Sequence, residues 1–420
     1  MSSNDRILPL KASVSNPVSA GTSSTAKFNS ILFSLCLTQT GHCANAFDNI
    51  ITPYISSNIF YDSNFFCVSD SSNVDNGKSE FSQQIASGLK LDWKINRQQL
   101  VAEASVNQNW FQNHSSLDYL GWSGSSQWNW HAGNHLDGEI GFNEKVFLGD
   151  FNQLNRPIPN LQENQRFFGN AGYLFHARGL LKLGLFRNER HFDDSIRQIS
   201  NSTEDNAEIS IQYISPDKSN IGIHGVITDG RFPNRTYQPS ISTLDDGYKR
   251  LNTGLIWDWR YSAITQIEGM VGYLYQRYNH LSERNFGDAI ANLVIHWQAT
   301  DKTLVDLIAK REVSQANNLG ATFSLLQGIE LKAQYEIDSK LKISVPISYF
   351  NQQFLGDISG ENSSLIPEEN DLYGMGVRLI YHPIDNISVN AMLNFEKRDS
   401  NYVSRAYQSN SAGLTVQAVF

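Results

Sequence analysis

Long stretches of this chain alternate between apolar and polar residues. The runs LVAEASVNQNW (100–110), IELKAQYEID (329–338) and ISVNAMLNFE (387–396) all show the pattern. In the second run, Leu331 on one parity is followed by Lys332 on the other. Because successive side chains of a β-strand point to opposite faces, a period of two predicts strands with one apolar and one polar face.

About eighteen such runs can be traced along the chain, with ends uncertain by about two to four residues. They span 54–65, 80–93, 99–110, 118–130, 135–147, 165–177, 180–191, 205–214, 220–228, 247–259, 264–278, 285–298, 303–313, 326–337, 340–350, 370–381, 386–397 and 407–420. The protein is therefore predicted to be all-β. An error in one hairpin would leave sixteen strands.

The connections between these runs alternate in length. Every second one is a turn of two to five residues, and the longest of the others lie near 148–164, 229–246 and 351–369. An ordinary up-and-down sheet has no reason to sort its loops by side, whereas outer-membrane barrels have short periplasmic turns and longer external loops. We therefore predict a transmembrane antiparallel up-and-down β-barrel in a bacterial outer membrane.

The last run, SAGLTVQAVF (411–420), has apolar side chains at every second position and ends on Phe420. In a barrel this face would meet lipid, and the strand edge would be closed by the first strand. A terminal aromatic strand is also typical of the signal that barrel-assembly machinery recognises. Phe420 is accordingly predicted to be part of a membrane-assembly signal.

Aromatic residues near the predicted strand ends agree with a membrane location. Amphipathic rings favour the lipid headgroup boundary, although aromatic residues are common in strands generally. The residues concerned are Trp93, Trp110, Trp128, Trp130, Trp257, Trp259, Trp297, Tyr349 and Tyr381.

The N-terminal part has a different character. Lys27, the apolar stretch FNSILFSLCL and the small residues from Ala44 to Ala46 predict a secretory signal cleaved after Ala46. The alternative is an N-terminal arm ahead of a buried segment. The predicted domains are thus 1–46, the N-terminal extension and signal peptide, and 47–420, a single outer-membrane barrel. The apolar stretch is too short for a membrane helix, which needs about 20 residues.

Composition and charge narrow the function classes. Charged residues make up 18% of the chain and aromatic residues 11%, a mixture that favours strands over helices. The net charge is -9, and removal of residues 1–46 (net +2) leaves -11, which argues against nucleic acid as a partner. Cys67 alone would remain of the three cysteines, so no disulfide framework is predicted.

Three stretches carry a family resemblance: FYDSNFF (60–66), assigned to the first strand, NRQQLVAEASVNQNWF (96–111) and LDYLGWSGSSQWNWHAGNHLDGEIGF (117–142). They resemble the EpsL-like barrels of exosortase-associated exopolysaccharide operons, within the wider β-barrel porin class. The resemblance is clearest over 59–150. It implies a barrel that serves exopolysaccharide production, with an exopolysaccharide chain and periplasmic and inner-membrane export proteins as partners. It supplies no catalytic motif.

The polar parity of the predicted strands would face the lumen. The candidate pore-lining residues are sixteen of its charged members: Lys90, Asp92, Glu103, Asp137, Glu139, Arg166, Arg178, Lys182, Asp258, Arg260, Glu268, Asp306, Lys310, Glu330, Lys332 and Arg378. Their mixed sign suits a neutral or weakly charged glycan, since a strongly anionic polymer would favour an excess of cations. These charges could equally hydrate a water-filled or plugged barrel.

Three histidines, His176, His224 and His296, also fall on the predicted lumenal parity, but no serine or carboxylate is tied to them by spacing. We expect no catalytic residues, no metal site and no cofactor. The leading hypothesis is a passive conduit for exopolysaccharide that crosses the outer-membrane lipid. The alternatives are a general diffusion porin for small solutes and, with less support, an outer-membrane enzyme.

Overall fold

The computed structural model describes residues 50–70, 72, 74, 77–151, 160–239, 244–315, 321–356 and 367–420. The predicted signal segment and its cleavage site at Ala46 lie outside the described residues. Among the described residues, no helix is long and apolar enough to cross a membrane.

The described residues form eighteen strands, which confirms the predicted all-β fold and strand number. The strands are β1 (Ile51–Asp62), β2 (Glu80–Ile95), β3 (Gln98–Phe111), β4 (Tyr119–Ala132), β5 (Leu136–Leu148), β6 (Leu161–His176), β7 (Gly179–Phe192), β8 (Ser202–Ile214), β9 (Asn220–Arg231), β10 (Gly247–Ser262), β11 (Thr265–Tyr278), β12 (Phe286–Thr300), β13 (Thr303–Gln315), β14 (Phe323–Glu336), β15 (Leu341–Leu355), β16 (Glu369–Ile384), β17 (Ile387–Ser400) and β18 (Tyr407–Val419).

The sheet closes on itself. Each strand pairs antiparallel with its neighbours in sequence, and β1 pairs with β18, for example through Ile59 opposite Leu414. Phe420 lies just beyond β18, and its N–H donates to the carbonyl of Pro53, 2.9 Å away. Closure removes both sheet edges, as a strand array in lipid requires.

Two boundary predictions need correction. β15 continues to Leu355 rather than residue 350, because its polar residues around Asn351 stay paired with β14 and β16. β1 ends at Asp62, so Phe65 and Phe66 of FYDSNFF lie in the first external loop and not on the first strand. That loop, 63–79, is longer than the sequence pattern indicated.

The outer surface carries an exposed apolar band. Side chains such as Ile59, Leu255, Leu331 and Leu414 are 40–48% exposed although they are aliphatic. In water such a surface would promote aggregation, but it matches the lipid-facing band of a membrane barrel.

Aromatic side chains border the band at both ends. Of the predicted set, Trp93, Trp110, Trp128, Trp259, Trp297, Tyr349 and Tyr381 are exposed on the outer face near strand ends. Trp130 and Trp257 instead pack over Gly138 and Gly269 on the adjacent strand. An aromatic ring laid over a cross-strand glycine covers backbone that would otherwise be bare, and it helps to fix the register.

Candidate functional site: the barrel interior

The structure places the predicted pore-lining residues, with one exception, on the inward-facing parity. In β10, for example, Leu255 and Trp259 are exposed on the outside while Asp258 alternates with them and is buried. The exception is Arg178, which lies in the turn between β6 and β7, exposed, with its Nη1 atom 3.2 Å from the Tyr213 hydroxyl. Arg178 was misassigned because the polar turn continues the alternation of β6. A role of the others in solute passage stays a prediction.

Most of the inward-facing predicted charges lie close to the periplasmic side. The following residues lie in the half of their strands nearer the short turns: Lys90, Asp92, Glu103, Asp137, Glu139, Lys182, Asp258, Arg260, Glu268, Asp306, Glu330, Lys332 and Arg378. Arg166 and Lys310 lie nearer the external side. The predicted charges therefore form a mixed-charge vestibule on the periplasmic side, and other inward-facing charges, such as Glu204 and Arg250, lie on the external side.

Neutral partners hold several of these carboxylates in place. Glu139 accepts hydrogen bonds from the side-chain amides of Gln127 and Asn170, both at 2.6 Å. Gln266 donates from its Nε2 atom to Asp258 (2.8 Å) and Glu268 (2.9 Å). Amide donors fix the carboxylates without cancelling their charge, so the wall of the vestibule keeps a mixed electrostatic pattern.

Two of the three predicted lumenal histidines bind carboxylates from adjacent strands, which sequence spacing could not reveal. His296 Nδ1 is 2.7 Å from Asp306, and His224 Nε2 is 3.1 Å from Glu208. Ser210 lies opposite His224 in the β8–β9 register, but the His224 Nδ1 atom has no hydrogen-bond partner among the described residues. A nucleophile activated by its base would need that contact, so these three residues do not form a hydrolase triad.

A turn of the first external loop folds into the barrel mouth. Phe66 is 0% exposed and packs with Phe65, Phe111 and Phe151, with ring centroids of Phe66 and Phe151 4.9 Å apart. Phe111 is an inward-facing residue of β3, whereas Phe151 belongs to the loop after β5. We call Phe65, Phe66, Phe111, Leu117 and Phe151 the aromatic plug.

Hydrogen bonds fix the turn to β18, the strand that pairs with β1. The Asn64 side chain bonds to both the N–H and the carbonyl of Val68, and it also donates to the carbonyl of Gln408 on β18. Cys67 in this turn has a positive φ of 53°. Burial, together with the nearby Glu396 carboxylate, raises the pKa of the Cys67 thiol well above its usual range. Such a thiol is a poor nucleophile, so Cys67 has a packing role.

The loop after β5 also reaches into the lumen. Asp150 lies within electrostatic range of Arg190 on β7 and of Glu396 on β17. In an eighteen-stranded barrel these two strands are on nearly opposite walls. Asp150, at the start of this loop, therefore lies between the walls.

A second packed group covers the inner wall of β10–β14. Phe232, from the loop after β9, packs with buried side chains of these strands, and the cluster comprises Phe232, Tyr248, Met270, Leu274, Tyr278, Phe286, Ile290, Val313 and Leu325. The guanidinium of Arg235 lies 3.7 Å from the Phe232 ring centroid. Burial lowers the pKa of Arg235 to about 10. The external half of the interior thus holds a packed apolar cluster beside buried ion pairs such as Arg250 with Glu204.

One group of possible metal ligands lies in the external loops. Asp245, Asp246 and His280 have ligand atoms within 4.8 Å of one another. Asp245, however, already accepts hydrogen bonds from the backbone N–H groups of Gly247, His280 and Leu281, at 3.2, 2.7 and 2.8 Å. Its carboxylate therefore joins two loops, and these contacts account for its burial without a cation.

Comparisons with known proteins agree with this architecture. Residues 242–420, from just ahead of β10 to the C-terminus, match the family described as "Putative beta-barrel porin 2". No curated protein matches the sequence. Among solved structures, OccK2 (OpdF) of Pseudomonas aeruginosa is similar with a TM-score of 0.50 and 10% identity over 88% of this chain and 98% of that chain.

Two further outer-membrane protein structures are similar at lower scores. OpdK of Pseudomonas aeruginosa has a TM-score of 0.48 and 9% identity, and a BenF-like porin of Pseudomonas fluorescens Pf-5 has the same two values. Each comparison covers 88% of this chain and 99% of the other. The protein is an outer-membrane β-barrel with porin architecture.

Proposed function

We propose that this barrel is a selective diffusion porin for small polar solutes. The observation that carries the proposal is the asymmetry of its interior. The mixed-charge vestibule lies on the periplasmic side, whereas the aromatic plug and the Phe232 cluster lie on the external side. Mixed charge with many amide groups suits neutral or zwitterionic solutes, because neither sign of ion is concentrated. The match of residues 242–420 to a porin family supports the same class.

Polymer export, which the resemblance of residues 59–150 implies, remains a second hypothesis. An exopolysaccharide chain would require the aromatic plug to withdraw from the mouth, along with Asp150 between the walls. Its periplasmic and inner-membrane partners belong to that hypothesis. The packed mouth favours small solutes over a polymer.

The proposal is tested by swelling of liposomes that contain the purified barrel. We expect slow entry of a monosaccharide through the wild type and faster entry through Phe66→Ala/Phe151→Ala, because removal of two rings opens the plug. The matched control is Phe142→Ala/Phe167→Ala, since these two rings contact each other on the outer face of β5 and β6, with centroids 4.5 Å apart. That control should leave the rate unchanged.

Absence of monosaccharide entry through both the wild type and the plug variant would overturn the porin proposal. Loss of surface polysaccharide in a deletion strain, with normal uptake of small solutes, would favour the polymer hypothesis instead. A dextran of polymer size serves as the third solute and should be excluded by wild type and control alike.

A further inference from the structure

Cations on the outer surface are concentrated in one sector of the external rim. At the external ends of β7 to β13, the outward-facing cations are Arg187, Arg231, Lys249, Arg277 and Arg311. Among the other described strands, Lys397 on β17 is the outward-facing cation at this level. Charges of both signs are mixed in the interior, so this clustering of cations is confined to the lipid-facing side.

Some of these cations are neutralised by the protein itself. Asp205 binds both Arg187 and Arg231, each at 2.7 Å, and Arg311 binds Asp288 at 2.9 Å. Asp229, which lies opposite Lys249 on β9, is instead 3.8 Å from Arg231. Asp205, Asp288 and Asp229 therefore lie closest to these three arginines.

Lys249 and Arg277 differ from the rest. They are directly opposite each other in the β10–β11 register, both are exposed, and neither forms an ion pair within the described part of the chain. The segment 240–243 ahead of β10 reads SIST and supplies no carboxylate. Directly opposed residues have Cβ atoms about 4.5–5.5 Å apart, and like charges in this arrangement are destabilising. An anion between them would remove that repulsion.

The position of the pair identifies the source of the anion. Two residues toward the membrane from Lys249 and Arg277 are Leu251 and Tyr275, which are exposed on the lipid-facing surface at 46% and 44%. The cations therefore lie at the level where acyl chains end and headgroups begin, on the external side. Groups at that level are lipid headgroups, and their anionic groups are phosphates.

We propose that Lys249 and Arg277 bind the phosphate of a lipid headgroup in the outer leaflet, with Tyr275 in contact with the headgroup beside it. The guanidinium donates paired hydrogen bonds to phosphate oxygens, and the ammonium adds a second charge. The bound lipid replaces cross-strand repulsion by two attractive contacts. This site is independent of the proposed passage of solutes through the interior.

The test measures binding of lipid A and of its dephosphorylated form to the detergent-solubilised barrel by native mass spectrometry. Each basic residue near an anionic lipid surface contributes about a fivefold factor in affinity, so Lys249→Gln/Arg277→Gln should bind lipid A about 25-fold more weakly than wild type. Lys397→Gln is the matched control and should bind like wild type. Dephosphorylated lipid should bind all three proteins equally weakly.

Two further variants separate loss of lipid binding from loss of folding, in case the double substitution impairs folding. Lys249→Arg/Arg277→Lys retains both charges and should retain binding. Arg277→Glu creates an ion pair with Lys249, so it should fold, as judged by heat-modifiable gel mobility, and bind lipid A as weakly as the double variant. Equal binding of lipid A and its dephosphorylated form by wild type would overturn the site, as would wild-type affinity in Arg277→Glu. Displacement of lipid A by an equal concentration of inorganic phosphate would refute recognition of a lipid.

Discussion

At the scale of single residues, the cross-strand neighbours of a glycine determine whether a larger residue can replace it. A Cβ atom at Gly138 would lie 2.1 Å from the Asn170 carbonyl oxygen and 2.5 Å from the Trp130 ring. A Cβ atom at Gly124 would meet nothing within 4 Å. Both glycines belong to the β4–β5 hairpin. The same substitution should thus have opposite outcomes at the two positions.

We predict that Gly138→Ala lowers the free energy of unfolding by roughly 1–3 kcal/mol, because backbone and indole must move to admit the methyl group. Gly124→Ala should change it little or raise it slightly, since alanine restricts the unfolded chain. Equilibrium unfolding in urea with lipid vesicles measures both. Equal effects of the two substitutions would show that Trp130 does not pack on Gly138.

Asp245 gives a pH-dependent prediction at the same scale. Burial opposes ionisation of its carboxyl group, but three backbone N–H groups and the His280 side chain outweigh burial and lower the pKa of Asp245 below its usual range. A depressed pKa contributes stability above the unfolded pKa of about 4, and this contribution is lost as pH falls through the folded value.

Asp245→Asn should accordingly destabilise the barrel by about 1–3 kcal/mol at neutral pH and by less below about pH 4. Unfolding followed as a function of pH measures the difference between variant and wild type. A difference that is constant from pH 7 to pH 3 would contradict the role of the ionised carboxylate. Asp301→Asn in a periplasmic turn, where the carboxylate is exposed, is a control with little expected effect.

At the scale of strands, the two parities of β14 face different solvents. Leu331 is exposed on the outer band at 40%, whereas Gln334 faces the interior, where its Nε2 atom lies 3.5 Å from Asp306. Leu331→Arg should cost about 2–4 kcal/mol if its depth is near the bilayer midplane. Gln334→Arg should be mild, because the new guanidinium meets water and a carboxylate.

Folding of these two variants into vesicles, followed by tryptophan fluorescence and equilibrium denaturation, measures the comparison. Similar costs on both parities would mean that the outer band does not contact lipid. Ala391→Arg on β17 repeats the test at a second strand, since Ala391 pairs with the outward-facing Leu379.

At the scale of the whole molecule, the balance of inward-facing charges sets ion preference. Arg166, Arg260 and Arg378 come from three distant strands, and no ion pair within 4 Å joins them to a carboxylate among the described residues. Their neutralisation leaves the acids of the vestibule in excess. Arg166→Gln/Arg260→Gln/Arg378→Gln should therefore shift the conducted current toward cations.

Reversal potentials across a planar bilayer under a KCl gradient measure this shift, in the Phe66→Ala/Phe151→Ala background where the mouth is wider. Arg178→Gln is the control, because that side chain lies in a turn outside the lumen. Unchanged selectivity in the triple variant would show that these arginines do not line the path of the ions.

The positions of the strands, and which of their side chains face lipid or the lumen, follow directly from the local sequence. A strand needs a period of two and a lipid-facing strand needs apolar residues on one parity, so runs such as 329–338 reveal both without any partner. Loop lengths then order the strands into an antiparallel barrel. For the same reason the inward parity of Glu139 or Asp258 could be predicted, whereas Arg178 could not be separated from the end of β6.

The contents of the lumen depend on contacts between residues that are distant in sequence. Phe66 meets Phe151, and Asp150 lies between β7 and β17, only because the sheet closes and brings separate loops over one opening. The pairing of His224 with Glu208 and the opposition of Lys249 and Arg277 depend on register between strands. The alternation of apolar and polar residues can be read from one segment of the sequence. The packing of the mouth and the contacts between strands arise only when the barrel closes, so they depend on the tertiary structure.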